Sequence, residues 1–332
     1  METVGIALLG VGTVGSAVVE TVLRKGAEIG QREGITLEVR WGLARRVERV
    51  LAAGLPERAA TTSIEPILED PLVSVVVEAM GGEEPAATYM KRALEAGKHV
   101  VTANKEALSK HFAELVATAR ARNRALLFEA SVGAGIPLMA SLRQILTVNR
   151  IERIRGIVNG TTNFILTMMA EEGMAYHDAL REAQRLGYAE PDPTADVEGY
   201  DAAYKLSILA SLAAGTHIPP DRVDRRGITS VTPDQILDAR ARGGAVKLIA
   251  EAVARNGGWE LRVQPVFVPG SDLLAHVRRN LNAIELTCDR VGSIVLYGPG
   301  AGPAPTAAAL VADVLDAVRF GAALLPKLKG AS

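Results

Sequence analysis

Residues 187–205 are dense in side chains that acid–base chemistry uses. They contain five carboxylates and one lysine: Glu190, Asp192, Asp196, Glu198, Asp201 and Lys205. Asp201 and Lys205 are four residues apart in a segment with a helical pattern, so they share one face of a helix. A turn followed by a surface ion pair would have the same spacing. The spacing alone favours that simpler interpretation, and the rest of the chain must decide between the two.

The composition is that of an ordinary globular protein. A chain of 332 residues with 48% apolar and 23% charged residues favours two domains with full cores. A net charge of −1 argues against a nucleic-acid partner. The N-terminus lacks a signal pattern, and no apolar run reaches the ~18 residues of a membrane helix. The single cysteine, Cys288, excludes an internal disulfide and a cysteine zinc site. We therefore expect a cytoplasmic protein with no membrane partner.

A glycine-rich turn near the N-terminus predicts a dinucleotide site. Thr3–Leu9 is an apolar run typical of a buried parallel strand, and 16–24 has a helical pattern. Between them the chain has the spacing G-x-G-x-x-G, which lets the backbone approach a pyrophosphate at a helix N-terminus. The residues predicted to contact the cofactor here are Gly10, Gly12, Thr13, Val14 and Gly15.

The end of the next strand bears on which nicotinamide cofactor is used. Residues 37–43 read as this strand, and Ala44-Arg45-Arg46 follows where NAD enzymes often place an acidic residue. An arginine there can bind a 2′-phosphate, so Arg45 favours NADP over NAD. Two solvated surface arginines are the alternative.

Alternating strands and helices predict a Rossmann-type doubly wound parallel sheet in residues 1–130. After the first two strands, further strands are predicted at 72–79, 99–103 and 125–130, with helices at 84–96 and 107–123.

The pattern changes beyond residue 130 and predicts a second, α+β domain over 131–305. Helices are expected at 138–146, 164–172, 176–186 and 232–242, and a strand at 150–158. Four strands with short connections, at 245–254, 261–268, 283–287 and 293–297, predict an antiparallel sheet. A last helix, 307–320 with Thr306 as its N-cap, is expected to pack with the rest of 306–332 on the first domain.

Several chemistries are disfavoured by missing patterns. The chain has no His-Glu-x-x-His and no Walker A sequence, and neither Tyr200 nor Tyr204 is followed four residues later by lysine. Cys288 lies in a predicted late strand, where a buried core role is more typical than a nucleophilic one. A nucleotide-domain enzyme that uses lysines and carboxylates is the interpretation that is left.

The motifs together resemble the homoserine dehydrogenase family across nearly the whole chain. They are Gly10–Gly15, Thr102–Lys105, Glu129–Leu138, Gly156–Asn163, Gly187–Lys205 and Gly298–Thr306. The resemblance implies reversible NAD(P)H-dependent reduction of L-aspartate 4-semialdehyde to L-homoserine, in threonine and methionine biosynthesis. Many family members carry a regulatory domain, and this chain looks like the short form without one.

The resemblance also implies roles for individual residues. Lys205 matches the general acid and Asp201 the carboxylate that holds it, while Lys105 would face the substrate from the cofactor side. The residues matching the substrate contacts are Glu190 for the amino group, Gly160, Thr161 and Tyr188 for polar contacts, and Asp196 for support. Lys105, Gly187, Glu190 and Gly302 match further cofactor contacts. Asp192, between two prolines, is as well explained by a turn, and Glu198 has no assigned role.

Family members bind a structural monovalent cation, Na⁺ or K⁺. The matching ligands are the carboxylate of Glu129 and the carbonyls of Val132, Ala134 and Ile136, an oxygen set that suits a hard cation. A tight glycine turn without an ion is the alternative. The family also implies a homodimer, for which the late sheet is a candidate interface.

Two other functions stay open at this point. One is an oxidoreductase of another small amino-acid semialdehyde, and the other is a non-catalytic NAD(P)H sensor. The density of polar groups in 187–205 disfavours a sensor, because a sensor needs no acid beside the nicotinamide.

Overall fold

The computed structural model describes residues 2–328, which divide into two compact units. The first unit runs to Arg143 and resumes at Ala301, and the second comprises Gln144–Gly300. These boundaries differ from the predicted ones after residues 130 and 305. The difference at the first boundary has a local cause, because the Glu129 carboxylate accepts hydrogen bonds from the first turn of the helix that starts at Leu138. Residues 329–332 of the predicted last segment lie outside the described residues.

The strands belong to two sheets of six. In chain order they are β1 (Glu2–Leu9), β2 (Ile35–Leu43), β3 (Ala60–Thr61), β4 (Val73–Glu78), β5 (His99–Thr102), β6 (Leu126–Leu127), β7 (Ile151–Ile157), β8 (Asp224–Arg225), β9 (Gly244–Arg255), β10 (Gly258–Pro269), β11 (Leu281–Cys288) and β12 (Gly292–Pro299).

The helices alternate with strands in the first unit and cluster between β7 and β9 in the second. They are α1 (Thr13–Glu33), α2 (Glu48–Ala52), α3 (Glu65–Glu69), α4 (Ala86–Glu95), α5 (Lys105–Ala121), α6 (Leu138–Ile145), α7 (Gly160–Glu171), α8 (Tyr176–Arg185), α9 (Thr194–Val197), α10 (Tyr200–Ala214), α11 (Pro233–Ala241) and α12 (Pro303–Phe320).

The first unit is a parallel sheet with flanking helices, as predicted. Its strand order is β3-β2-β1-β4-β5-β6, so the order reverses between β1 and β4. In open α/β sheets such a reversal leaves a crevice beyond the carboxyl ends of the strands, where ligands bind. The ends of β1, β2, β4 and β5 therefore mark the edge of the sheet where the cofactor residues are expected.

A single apolar cluster joins this sheet to α1 and α12. Ile6 and Leu8 of β1 are fully buried and pack with Val18 of α1 and with Leu310 and Val314 of α12. Each such side chain stabilises the fold by roughly 1.5–3 kcal/mol on burial. The last helix thus completes the core of the first unit, although it follows the whole second unit in sequence.

The second unit contains a mixed sheet in the order β12-β11-β7-β9-β10-β8. The four predicted late strands are antiparallel neighbours of one another or of β7, which lies in the centre of the sheet. The edge strand β8 pairs with β10 in parallel and was not predicted, because its two residues give no periodic signal. The helices α7, α10 and α11 pack against β9.

Several helix limits differ from the predictions. α1 continues past Arg24 to Glu33, because a helix tolerates interior glycines such as Gly26 at a cost of about 1 kcal/mol. It ends where Gly34 adopts φ = 72°, a left-handed conformation that glycine allows. α12 begins at Pro303 with Gly302 as N-cap, so the prediction of Thr306 as cap is wrong; proline is favoured in the first helical turn.

Two shorter elements also differ. The strand predicted over 125–130 is reduced to β6, since a 3₁₀ turn at Glu129–Ser131 follows it. The sequence Pro219-Pro220-Asp221 predicts the start of a helical segment, but the structure has only a single 3₁₀ turn there, Pro220–Arg222. The predicted N-terminus of α11 is confirmed, and Thr232 and Gln235 form a reciprocal capping box.

Candidate active site

The glycine turn after β1 has room for a ligand on one side only. Gly10 adopts φ = 94°, and a Cβ atom on Gly15 would lie 2.0 Å from the Gly10 carbonyl oxygen, so both positions require glycine. A Cβ on Gly12 would meet nothing within 4 Å. Gly12 is the N-cap of α1, and Thr13 and Val14 are its first residues. The open side at the helix N-terminus is where a pyrophosphate would be stabilised.

Arg45 follows β2 at the same edge of the sheet and is exposed. Its position matches the one from which an arginine can reach a 2′-phosphate in this fold. It lies two residues beyond Leu43, which pairs with Leu9 at the end of β1.

A buried hydrogen-bonded network joins the ends of β4 and β5 and was not predicted. The carboxylate of Glu78 accepts hydrogen bonds from the Thr102 hydroxyl at 2.5 Å and from the backbone N–H of Met80 at 2.7 Å. Burial raises the pKa of Glu78, and these hydrogen bonds act in the opposite direction. The Asn104 side chain donates a hydrogen bond to the Gly82 carbonyl and accepts one from the backbone N–H of Ala107, which makes it the N-cap of α5. These bonds hold the backbone directly before Lys105, the first residue of α5.

In the second unit, Lys205 and Asp201 form a buried ion pair. The Lys205 Nζ lies 2.7 Å from Asp201 Oδ2 and 2.7 Å from the carbonyl oxygen of Val158. Both residues lie in α10, and their side chains are 9% and 6% exposed. The interpretation as a surface ion pair is therefore wrong. An ammonium has three N–H donors, and within residues 2–328 two of them have acceptors, which leaves the third for a bound molecule.

Asn159 connects this pair to a second carboxylate. Its side-chain N–H₂ donates to Asp201 Oδ2 at 2.8 Å and to Asp196 Oδ1 at 2.7 Å. Burial, and then repulsion by the nearby Asp201 carboxylate, raise the pKa of Asp196, while the hydrogen bond from Asn159 lowers it. Asp196 thus lies beside Asp201 and Lys205.

Asn159 itself was quoted only as part of a motif and had no predicted role. The structure makes it the N-cap of α7, because its Oδ1 accepts the backbone N–H of Thr162 at 2.8 Å. An asparagine directly after a strand and before Gly-Thr-Thr is a capping signal that could have identified it.

The other predicted substrate residues lie around the start of α7. The Thr161 hydroxyl donates to the Tyr188 carbonyl at 2.6 Å, and the Tyr188 ring packs on Phe164. Gly160 is required for space, since a Cβ there would lie 2.7 Å from the Asn280 carbonyl oxygen. Gly160 and Thr161 begin α7, and the Thr161 hydrogen bond places Tyr188 next to them.

The segment before α9 is more open. Glu190 is exposed, and within the described part of the chain only its backbone carbonyl has a hydrogen bond, from Gln184. Gly187 adopts φ = 76° after α8. Asp192 accepts the backbone N–H of Thr194, which agrees with the turn interpretation, and Glu198 accepts the Thr229 hydroxyl at 3.0 Å.

The predicted cation ligands lie in a tight turn of the first unit. The two oxygens of Glu129 accept the backbone N–H groups of Met139 and Ala140 at 2.7 and 2.9 Å, and burial raises its pKa. Val132, Ala134 and Ile136 are buried, and the Ile136 carbonyl accepts the N–H of Leu138. Glu129 therefore caps α6 in addition to any role with an ion. Asp313 of α12, which accepts the Glu129 N–H at 2.8 Å, was not predicted.

Comparison with known proteins identifies the family. The family model for homoserine dehydrogenase matches residues 137–315, and the model for the homoserine dehydrogenase NAD binding domain matches residues 10–129. The homoserine dehydrogenase of Pseudomonas aeruginosa is 42% identical over 96% of this chain and 73% of its own length. The chain belongs to the homoserine dehydrogenase family. It is accordingly an oxidoreductase with a nicotinamide-binding domain, which confirms the predicted resemblance.

Solved structures of homoserine dehydrogenases agree with the fold. The enzyme from Thiobacillus denitrificans has a TM-score of 0.92 at 42% identity, covering 96% of this chain and 74% of that one. A hyperthermophilic archaeal homoserine dehydrogenase in complex with NADPH has a TM-score of 0.82 at 30% identity, covering 98% of this chain and all of that one.

Two features are absent from the part of the chain that the structure describes. Across residues 2–328, no helix is both long and apolar enough to cross a membrane. The same residues contain no cluster of three or more His, Cys, Asp or Glu side chains placed to hold a metal. The proposed cation ligands are one carboxylate and three carbonyls, so they would not form such a cluster. Cys288 is 5% exposed and unpaired, as expected for a core residue.

Proposed function

We propose that the protein catalyses the reversible NAD(P)H-dependent reduction of L-aspartate 4-semialdehyde to L-homoserine, a step of threonine and methionine biosynthesis. The observation that supports this most strongly is the buried Lys205 ammonium, held by Asp201 and the Val158 carbonyl with one N–H left over. The bound nicotinamide supplies the hydride that the aldehyde carbon accepts. Lys205 donates a proton to the aldehyde oxygen as negative charge develops there, and takes it back from the hydroxyl in the reverse direction.

The side chains around Lys205 are proposed to orient it and to assist it in catalysis. Asp201 keeps Lys205 oriented, and Asn159 keeps Asp201 and Asp196 in place. Lys105 is proposed to assist Lys205 in catalysis.

Substrate binding is assigned to residues near the start of α7 and before α9. Glu190 pairs with the substrate ammonium group, for which its exposed carboxylate is suited. Gly160, Thr161 and Tyr188 supply polar contacts, and Asp196 supports them.

The cofactor is proposed to be NADP, with NAD as the alternative. The cradle at Gly10, Gly12 and Gly15 fits a pyrophosphate, because Gly12 leaves open space where a side chain would intrude. Thr13, Val14, Lys105, Gly187, Glu190 and Gly302 are proposed as further contacts.

Exposed Arg45 would bind the 2′-phosphate. Comparison of NADPH with NADH in wild type and Arg45→Ala tests this choice. We expect the variant to lose preference for NADPH, and an unchanged preference would contradict the role of Arg45.

A monovalent cation is proposed at the Glu129 turn. The donor set fits a hard cation, since it combines a buried carboxylate with the carbonyls of Val132, Ala134 and Ile136. The oxygens that already accept N–H groups keep a lone pair that an ion can share. Potassium or sodium chloride should then raise the melting temperature above that in choline chloride at equal ionic strength. Loss of the difference in Glu129→Gln would support the site, whereas no difference in wild type would exclude it.

A homodimer is proposed through the second sheet. Its edge strand β12 leaves Ile294, Val295 and Leu296 half-buried and Tyr297 57% exposed. An apolar edge of this kind invites pairing with another chain. Light scattering after size exclusion should give twice the mass of one chain, and Tyr297→Lys should shift the protein toward monomer.

The reaction is tested with purified protein, L-aspartate 4-semialdehyde and reduced cofactor, by the loss of NAD(P)H absorbance. The reverse reaction is followed with L-homoserine and oxidised cofactor. Other small amino-acid semialdehydes serve as competitors. A preference for one of those would overturn the substrate assignment, and cofactor binding without turnover of any of them would overturn the catalytic one.

A further inference from the structure

A cavity of about 380 Å³ in the second unit has no part in the proposed reaction. It lies where the C-terminal ends of α7 and α11 meet the first residues of β9. Leu166, Ile236 and Val246 give it apolar walls, and Lys247 is among the residues that line it. Arg240 and Arg278 also line it and are exposed, so they lie at its opening to solvent.

Lys247 is a buried cation without a carboxylate partner. Only 4% of the residue is exposed, and its Nζ donates to the Val277 carbonyl at 2.6 Å and to Asn163 Oδ1 at 3.0 Å. Both acceptors are neutral. Over residues 2–328 no acidic side chain lies within ion-pair distance of this ammonium, and one of its three N–H donors has no acceptor.

Arg240 is similarly uncompensated within the described residues. Its guanidinium makes one long hydrogen bond, 3.4 Å, to the carbonyl of Ala170, and it has no carboxylate at ion-pair distance. Glu171 is the acidic residue that lines the cavity, and it forms an ion pair with Arg278, with Oε1 3.2 Å from the Arg278 Nε. Among the described residues, neither Lys247 nor Arg240 thus has a carboxylate at ion-pair distance.

For the buried Lys247 this arrangement is costly unless an anion completes it. Burial of a charge is unfavourable without a partner, and an oppositely charged group with good hydrogen-bond geometry offsets that cost. The cost is visible at Lys247, where burial lowers the pKa to about 8, partly opposed by Glu171 and reinforced by Arg278. The cavity volume exceeds that of a single inorganic anion and leaves space for a short carbon chain along the apolar walls.

We propose that this cavity binds a small organic dianion, with one charged group on Lys247 and the other at Arg240. Dicarboxylates and phosphate monoesters share this chemistry, and both groups accept hydrogen bonds from ammonium and guanidinium donors. The site is separate from Lys205, but both are connected to helix α7. The amide that holds Lys247 belongs to Asn163, one turn after the Asn159 cap that orients Asp201.

Calorimetric titration of the full chain without cofactor tests the site. The probes are succinate, glycerol 3-phosphate and inorganic phosphate at constant ionic strength, with neutral succinamide as control. We expect succinate or glycerol 3-phosphate to bind. Binding should weaken at least tenfold in Lys247→Met and in Arg240→Gln, and stay unchanged in Lys91→Met, an exposed lysine on another helix. A stronger response to succinate indicates a dicarboxylate, and a stronger response to glycerol 3-phosphate indicates a phosphate ester.

The pH dependence supplies a second measurement. Affinity should fall as pH rises above about 8, because Lys247 then loses its proton. The other titratable or charged side chains that line the cavity are Glu171, Arg240, His276 and Arg278.

Three results would overturn the proposal. They are no binding by any dianion, equal binding of succinamide, and equal affinity in wild type and both variants. Arg240→Gln keeps the test decisive if Lys247→Met fails to fold, since Arg240 is exposed. Binding that is lost in Lys205→Met instead would place the anion at the reaction site and also exclude this cavity. The assay needs no turnover, so its outcome is independent of the proposed reaction.

Discussion

Lys205 and Lys247 are both buried lysines of the second unit, but their charges are compensated differently. The Lys205 ammonium is paired with the Asp201 carboxylate, while the Lys247 ammonium has two neutral oxygens. Each has one N–H without an acceptor among residues 2–328. Lys205 therefore has a protein counter-charge and a donor left for a substrate oxygen. Lys247 lacks the counter-charge, which points to an anion from outside the chain.

The contrast shows that burial of a lysine does not define its role. A carboxylate partner keeps an ammonium charged in a site where it must deliver a proton. Neutral partners leave the cost of burial in place, and the pKa of Lys247 falls accordingly. The partners, more than the degree of burial, distinguish the proposed proton donor from the proposed anion site.

The largest expected difference between the two lysines is in turnover. Lys205→Met should reduce kcat for semialdehyde reduction by about 10²–10⁴-fold, the usual contribution of a general acid. Lys247→Met should reduce it far less, because no proton transfer is assigned to it. Steady-state rates and circular dichroism on both variants check this, and comparable losses of kcat in two folded variants would remove the distinction.

The next effect is on stability. Asp201→Asn should lower the free energy of unfolding by about 3–5 kcal/mol, since it leaves the Lys205 charge buried without its partner. Urea unfolding of Asp201→Asn, Lys205→Met and the double variant gives the coupling energy. If the two residues are coupled, the double variant should lose less stability than the two single variants together. A loss equal to the sum of the two single losses would show that the pair is not coupled.

A smaller effect concerns the pH dependence of stability. Burial lowers the pKa of Lys247 from 10.5 to about 8 in the folded protein. Between these values the unfolded chain binds a proton that the folded protein does not, so the free energy of unfolding should rise with pH by up to about 1.4 kcal/mol per unit. Below about pH 8 both states are protonated and the cost is fully present.

Lys247→Met isolates this contribution. The difference in unfolding free energy between wild type and the variant should change with pH above about 8 and stay constant below it. A difference that is flat up to pH 10 would mean that Lys247 keeps its ordinary pKa.

The smallest effect is expected at an exposed lysine. Lys91 lies 2.5 Å from Glu114 but is solvent-accessible, with 42% of its side chain exposed. Water screens such a pair, so Lys91→Met should leave the unfolding midpoint unchanged within error. A clear shift in that midpoint would show that pairing matters at this protein's surface as well, and would weaken the emphasis on burial.

Local patterns predicted some parts of the site well. The glycine turn after β1 and the four-residue spacing of Asp201 and Lys205 depend only on neighbouring residues, and both are as expected. Helix limits were less predictable, because α1 continues through Gly26 and α12 starts at a proline. In α1, packing of residues such as Ile29 outweighs the low helix propensity of glycine. In α12, the first helical turn is a position that proline favours.

The sequence by itself therefore determined the Rossmann-type class, the glycine-rich turn after β1 and the lysine–carboxylate spacing, because these follow from periodicities and turns within a few residues. Only the tertiary structure decided that the pair is buried and that Asn159, 42 residues from Asp201, joins it to Asp196. It also decided that Lys247 reaches Asn163, 84 residues away, beside a cavity. Such contacts join segments far apart in the chain, and burial and pKa depend on what surrounds a group in space.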